Sequence, residues 1–118
     1  MMVLIASKDE GSVRSLAAGL RPFGSRLEVA RTDDEIFERI GEEYPDFLIL
    51  DLETTDLKPS ILVSIIHYIA PALRVIALTG HSTLEDAAVI EKGVFFYTTK
   101  PVGKELVDLV RTSEKGIH

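Results

Sequence analysis

Four residues with reactive side chains, Asp9, Asp51, Thr79 and Lys100, each fall just past a short apolar run. Two carboxylates brought together can hold a hard cation such as magnesium, which favours one or two carboxylates plus phosphate oxygens. A hydroxyl and an ammonium opposite them can bind the other oxygens of a phosphoryl group. Asp51 is the candidate nucleophile, because a carboxylate can form an acyl phosphate. Together the four suit metal-assisted phosphoryl transfer to Asp51. The sequence has no glycine-rich loop of the G-x-x-x-x-G-K-[ST] or G-x-G-x-x-G kind, so no nucleotide cradle is indicated.

Such chemistry needs a scaffold that brings four distant positions together, and the hydrophobic pattern supplies one. Val3-Leu4-Ile5-Ala6-Ser7 reads as a buried strand ending in charge. From Ser12 onward, Val13, Leu16, Ala17 and Leu20 share one helical face, and Pro22 and Gly24 close that helix. Residues 27–30 alternate weakly, as an edge strand does. Thr32 with Glu35 forms a capping box before a helix through Ile36, Phe37 and Ile40. Phe47-Leu48-Ile49-Leu50 is apolar throughout, which predicts a central strand delivering Asp51 at its carboxyl end. Ser60 then caps a helix striped by Ile61, Leu62, Ile65, Ile66 and Ile69 and stopped by Pro71. Val75-Ile76-Ala77-Leu78 is a second central strand, leading into Thr79-Gly80. Ser82 with Glu85 predicts a capping box for a helix through Leu84, Ala87, Ala88 and Glu91, ended by Lys92-Gly93. Residues 95–98 read as the fifth strand, followed by Lys100-Pro101 and a helix with Leu106, Leu109 and Val110 inward.

Five strands alternating with five helices predict an α/β fold, an open five-stranded parallel sheet, doubly wound and covered on both faces. Ligands of such sheets sit outside the carboxyl ends of the strands, near the point where strand order reverses. Asp9, Asp51, Thr79 and Lys100 all belong to that edge.

Composition narrows the reading further. At 118 residues the chain fits one domain, residues 1–118, with no room for a separate output domain. Hydrophobic residues at 46% and charged residues at 27% give a globular balance. Thirteen Lys and Arg against nineteen Asp and Glu leave a net charge of −6, no footprint for nucleic acid or an anionic membrane. Cysteine is absent, which excludes disulfides, thiolate metal sites and cysteine nucleophiles. The longest apolar stretch, residues 61–70, carries Ser64 and His67 and is far short of a bilayer span. A cytoplasmic location is the expectation.

The ordered anchors resemble the receiver domain of two-component response regulators, over roughly residues 2–114. The likeness is carried by Lys8-Asp9-Glu10, by Asp51 after its apolar strand, and by Thr79 28 residues later. It ends in Gly93-Val94-Phe95-Phe96-Tyr97-Thr98-Thr99-Lys100-Pro101, similar to the family's G-A-x-x-Y-x-x-K-P segment. The resemblance implies a flavodoxin-like (βα)5 domain that signals and is not itself an enzyme. Asp51 would accept a phosphoryl group from a histidine kinase or phosphotransfer protein. Magnesium would be held by Asp9, Asp51 and the backbone carbonyl of Glu53. Thr79 would hydrogen-bond the phosphoryl oxygen, and Lys100 would pair with Asp51 and then with the phosphate. Lys100-Pro101 would be a cis peptide. Tyr97 would be an aromatic switch, turning inward as Thr79 moves.

The sequence departs from that pattern in several places. Lys8 stands where the family usually has the first of two adjacent acids. An ammonium at about 5 Å from the metal would repel it by roughly 3 kcal/mol at an effective dielectric near 20. Snorkelling outward, or a shift making Asp9-Glu10 the pair, would remove that repulsion. Thr54-Thr55 replace the usual Met-Pro, and Gly80 follows the switch threonine in place of Ala. The alternative reading is a degenerate receiver, a phosphorylation-independent interaction module. Phe95 and Tyr97, with Val89, Ile90 and Val107, are expected to form a homodimer or effector surface along the last two helices and fifth strand. The acidic runs Asp33-Asp34-Glu35 and Glu42-Glu43 read as solvated helix faces, and His67 and His81 as ordinary packed or surface histidines.

A rival from another class rests on short motifs. Asp51-Leu52-Glu53-Thr54-Thr55 is similar to the D-x-E-T-T motif of DEDD-type exonucleases, and residues 81–86 to their H-x-x-x-x-D motif. That class opens its fold with the acidic strand and follows it with an antiparallel meander. Here three strand–helix units precede or contain the match.

Overall fold

The structure is a computed structural model that describes residues 1–80 and 83–114. His81 and the expected cap at Ser82 lie outside the described residues. The apolar runs form five strands: β1 (Met2–Ala6), β2 (Arg26–Ala30), β3 (Phe47–Asp51), β4 (Arg74–Thr79) and β5 (Phe96–Thr99). Alternating with them are α1 (Glu10–Leu20), α2 (Asp33–Glu43), α3 (Pro59–Ile69), α4 (Leu84–Glu91) and α5 (Lys104–Glu114). The sheet order is β2-β1-β3-β4-β5, and every neighbouring pair is parallel. The chain steps outward from β1 to β2 and then crosses back to β3, so the order reverses between β1 and β3. That places the switch point at the strands that end in Ala6 and Asp51. Among the described residues no antiparallel meander follows Asp51, and every strand pair is parallel, unlike the exonuclease architecture.

Strand pleating divides the core. Val3 and Ile5 of β1, Phe47 and Ile49 of β3 and Ile76 of β4 face Leu16, Leu20, Leu106 and Val110 of α1 and α5. Leu4, Ala6, Leu48, Leu50, Val75 and Ala77 point the other way, onto Ile36, Ile40, Leu62, Ile66 and Val89 of α2, α3 and α4. Both central strands are therefore apolar along their buried length up to Asp51 and Thr79 at their carboxyl ends, as a parallel sheet covered on two faces requires.

Helix starts agree with the sequence where a side chain caps them and shift where one does not. Asp9 caps α1, so the helix begins ahead of Ser12, and Thr32 caps α2 by accepting from the Glu35 N–H. Ser60 is not a cap: α3 starts on Pro59, whose ring pre-sets the first turn, and the Ser60 N–H donates to Glu85 Oε2 at 2.7 Å. On α4 the cap is Thr83, paired reciprocally with Asp86. Its buried residues are Asp86 and Val89, while Leu84 is 93% exposed. Asp86 tolerates burial because the Thr83 N–H and hydroxyl and the Tyr97 hydroxyl all donate to it.

Two surface expectations need correction. Asp33 is buried, not solvated: its carboxylate accepts from the Asp56 and Leu57 N–H groups at 3.1 and 2.7 Å, clamping the loop after β3 onto α2. Of the five residues expected to form one apolar surface, Ile90 and Phe95 are exposed, but the set is not exposed as a whole. Val89 is fully buried, Tyr97 is half-buried, and Val107 lies where a Cβ on Gly19 would come within 2.7 Å of it. β5 begins at Phe96, which leaves Phe95 ahead of the strand, edge-on to Phe47 with ring centroids 5.6 Å apart.

Candidate functional site

Asp9, Asp51, Thr79 and Lys100 sit at or just past the carboxyl ends of strands, and Tyr97 lies within β5. Asp51 is the last residue of β3 and is completely buried. Its Oδ2 accepts from the Ser7 hydroxyl at 2.8 Å and from the Lys100 ammonium at 2.8 Å. Its Oδ1 accepts from the Glu53 N–H at 3.1 Å. The turn after it is closed by the Thr54 N–H and hydroxyl, which both donate to the Asp51 carbonyl. A buried carboxylate is costly unless paired and hydrogen-bonded, and here three donors meet it.

Ser7 is a site residue that motif reading missed. Its hydroxyl accepts from the Asp9 N–H at 3.0 Å while donating to Asp51, so it ties the end of β1 to the end of β3. The available signal was its position, one residue past a wholly apolar strand. Lys8 settles the other uncertainty at this edge. Its side chain turns outward to Asp56, 3.6 Å away at the surface, and brings no positive charge to Asp51. Glu10 also faces out, paired with Arg31. Asp9 is thus the acid that β1 contributes.

Lys100 follows β5 and joins a cis peptide to Pro101. Its ammonium lies 2.8 Å from Asp51 Oδ2 and 3.2 Å from both Asp9 Oδ2 and Glu53 Oε1. Burial works against its charge, but Asp51 first, then Glu53 and Asp9, outweigh that, so its pKa is raised above the ordinary lysine range. Asp9 is held below the usual carboxylate range, first by the Ser12 hydroxyl and then by Lys100. Three carboxylates around one ammonium leave an excess of negative charge, and all the donor atoms are oxygens. That set fits a hard cation. Among the described residues no three Asp, Glu or His side chains hold a metal ion by themselves, so a cation here would also take oxygens from outside these side chains.

The Glu53 side chain, and not only its backbone, belongs to the cluster. It lies against Gly80, where an added methyl group would overlap the carboxylate. Gly80 thus makes room for an acid that reaches Lys100. Thr79 is buried at the end of β4, beside Thr99 in the ladder, and its carbonyl accepts from the Lys100 N–H at 2.6 Å. Thr79 and Glu53 both line a hollow of about 190 Å³ that reaches Thr83 and Asp86 at the start of α4. Tyr97 is on β5 facing α4, and its hydroxyl donates to Asp86 Oδ2 at 3.2 Å. The structure therefore joins Asp9, Asp51 and Lys100 directly, and ties Thr79 to them through the backbone. Tyr97 sits one step away, on the α4 cap.

No protein-family model matches the sequence. Individual relatives do. The chain is 37% identical over 96 residues to the DNA-binding transcriptional regulator NtrC of Proteus hauseri, covering 79% of this chain and 20% of that protein. It is 31% identical over 104 residues to the transcriptional regulatory protein GlrR of Escherichia coli K12, covering 87% of this chain and 23% of that protein. The chain thus spans about a fifth to a quarter of the curated relatives it matches. Among solved structures, the signal receiver domain of an HD domain-containing protein from Pseudomonas fluorescens Pf-5 superposes with a TM-score of 0.87 at 24% identity, covering 99% of this chain and 96% of that one. The beryllofluoride-activated NtrC4 receiver domain dimer gives 0.83 at 26% identity, with 95% and 93% covered. A Burkholderia pseudomallei response regulator, solved with a phosphorylated aspartic acid, calcium ion and citrate, gives 0.77 at 23% identity, with 96% and 72% covered. With these relatives, the β2-β1-β3-β4-β5 sheet and the acid–lysine cluster at its switch point, the chain is a receiver domain of the response-regulator family.

Proposed function

We propose that Asp51 accepts a phosphoryl group from the phosphohistidine of a histidine kinase or phosphotransfer protein, and that the domain works as a switch and not as an enzyme. The observation that carries this reading is the convergence of Asp9, Asp51 and Lys100 at the sheet's switch point. An Asp51 carboxylate oxygen attacks phosphorus, the phosphorus–nitrogen bond breaks, and the imidazole leaves with the electron pair. Asp9, the Asp51 side chain and the Glu53 backbone carbonyl are the groups that would hold magnesium, which supplies neutralisation of phosphoryl charge when bound. Lys100 is the protein's own cation at that point and passes from the Asp51 carboxylate to the phosphoryl oxygens. Thr79 offers its hydroxyl to the same oxygens, and Tyr97, tied to the α4 cap through Asp86, carries the change outward. In a longer protein the partner would be an effector domain, as the names of the regulatory relatives suggest. The proposed location is the cytoplasm; among the described residues no helix is long and apolar enough to cross a membrane.

The test is incubation with acetyl phosphate and magnesium, followed by intact-mass measurement. The expected result is a gain of one phosphoryl group that disappears in Asp51→Asn and needs the metal. A chain that gains nothing at millimolar magnesium, or an Asp51→Asn variant that still gains it, overturns the assignment.

A further inference from the structure

The cation site proposed at Asp51 is short of acid on the β1 side. Lys8 and Glu10 both turn outward, to Asp56 and Arg31, which leaves Asp9 alone there. Asp9 is already engaged. Its Oδ1 accepts from the Gly11 and Ser12 N–H groups as the α1 cap, and its Oδ2 from the Ser12 hydroxyl at 2.8 Å. Asp9 and Asp51, less the Lys100 charge, leave one negative charge for a cation that carries two. The Glu53 carboxylate supplies the second, since its Oε1 lies 3.2 Å from the same ammonium.

Gly80 gives that carboxylate its place. Unlike Gly24 and Gly93, Gly80 does not have a left-handed backbone, so its conformation does not call for glycine. What it provides is space: a Cβ there would overlap Glu53 Oε1 and stand 2.8 Å from Oε2. The Glu53 N–H donates to Asp51 Oδ1 at 3.1 Å, so the turn that carries the side chain is tied to Asp51. Among the described residues no three acidic or histidine side chains close around an ion by themselves, and magnesium keeps several of its waters. A carboxylate at the rim of such a site, 37% exposed, can accept hydrogen bonds from those waters. On the reading that a divalent cation binds beside Asp51, we infer that the Glu53 side chain is the outer acid of that site. It acts on the cation through its water shell, and Gly80 is the residue that positions it.

Manganese, which takes the same oxygen ligands, tests this through the electron paramagnetic resonance signal of the unbound ion. The wild-type chain is expected to bind one ion, and Glu53→Gln to bind it about tenfold more weakly. Glu53→Asp keeps the charge but shortens the reach, and Gly80→Ala keeps every charge but moves the carboxylate. Each is expected to weaken binding severalfold, and Gly80→Ala added to Glu53→Gln to change nothing further. Glu10→Gln removes an equal charge from the outward side of the same edge and is expected to leave affinity nearly unchanged. Thermal unfolding without metal checks that each variant is folded. Unchanged affinity in Glu53→Asp, or tighter binding in Glu53→Gln, overturns the role of Glu53 and leaves the cation site standing. A loss from Gly80→Ala that persists in the Glu53→Gln background overturns the role of Gly80. A wild-type chain that binds no ion overturns the cation site, and the role of Glu53 with it.

Discussion

The two ends of the central strands each hold a cation, in opposite ways. At the carboxyl edge Lys100 is surrounded by Asp9, Asp51 and Glu53. At the amino edge the Arg74 guanidinium lies over the Phe47 ring, 4.1 Å from its centroid, and 5.7 Å from that of Phe95. Aromatic faces attract a cation without offering it a charge to exchange. The carboxylates hold theirs through charge and charge-assisted hydrogen bonds, so any new anion at Asp51 would compete for it. The same fold thus builds a fixed cation at one end of its strands and, on the function proposed above, a transferable one at the other.

Removing the transferable cation should have the largest effect. Lys100→Ala takes away the donor proposed to meet phosphoryl charge, and labelling of Asp51 by acetyl phosphate is expected to fall about a hundredfold. The same change leaves three carboxylates facing one another, one of them, Asp51, buried. It is expected to cost about 2 kcal/mol in urea unfolding, less than for a fully buried pair because the Lys100 side chain keeps 18% exposure. An unchanged labelling rate would mean that Lys100 is only a structural counter-ion, no different in kind from Arg74.

A smaller effect is expected from Gly80→Ala, which pushes the Glu53 carboxylate off its place. The expected cost is about 1 kcal/mol, since the obstructed group is the end of a flexible side chain. In Glu53→Ala the obstruction is gone, so adding Gly80→Ala there should cost less than half as much. Additive losses in that double-mutant cycle would break the link between Gly80 and the cluster.

How far the sequence reached follows from what each element depends on. The five-stranded parallel sheet, its two covered faces and the convergence of Asp9, Asp51 and Lys100 were legible because wholly apolar runs of fixed spacing leave few arrangements. Ser7 was not, since a serine at a strand end has no motif and gains its role only from its neighbour across the ladder. Asp33 and Asp86 look like surface acids in sequence; they are buried because backbone N–H groups and a tyrosine hydroxyl from distant segments donate to them. The wrong expectation for Val89, set on a surface when it is buried, has the same origin. Helix phase decided it: α4 begins at Leu84 under a Thr83 cap, and that turn sends Val89 inward and Leu84 out. Short helices offer too few turns for periodicity to fix the phase. The outward path of Lys8 depended on Asp56, a residue brought close by the Asp33 clamp.

The smallest expected effect belongs to the fixed cation. Arg74→Ala removes the guanidinium from the Phe47 and Phe95 rings at the entrance to β4. It should cost about 0.5–1 kcal/mol in urea unfolding, the range for a partly exposed cation–π contact. Labelling of Asp51 should not change, because Arg74 enters β4 at the end opposite to Thr79 and touches none of the acids. Arg74→Lys separates charge from shape: the ammonium keeps the positive charge but loses the planar stacking of the guanidinium. If the aromatic faces hold the group by stacking, lysine should recover little of the loss, whereas full recovery would mean that charge alone matters at both ends of the sheet.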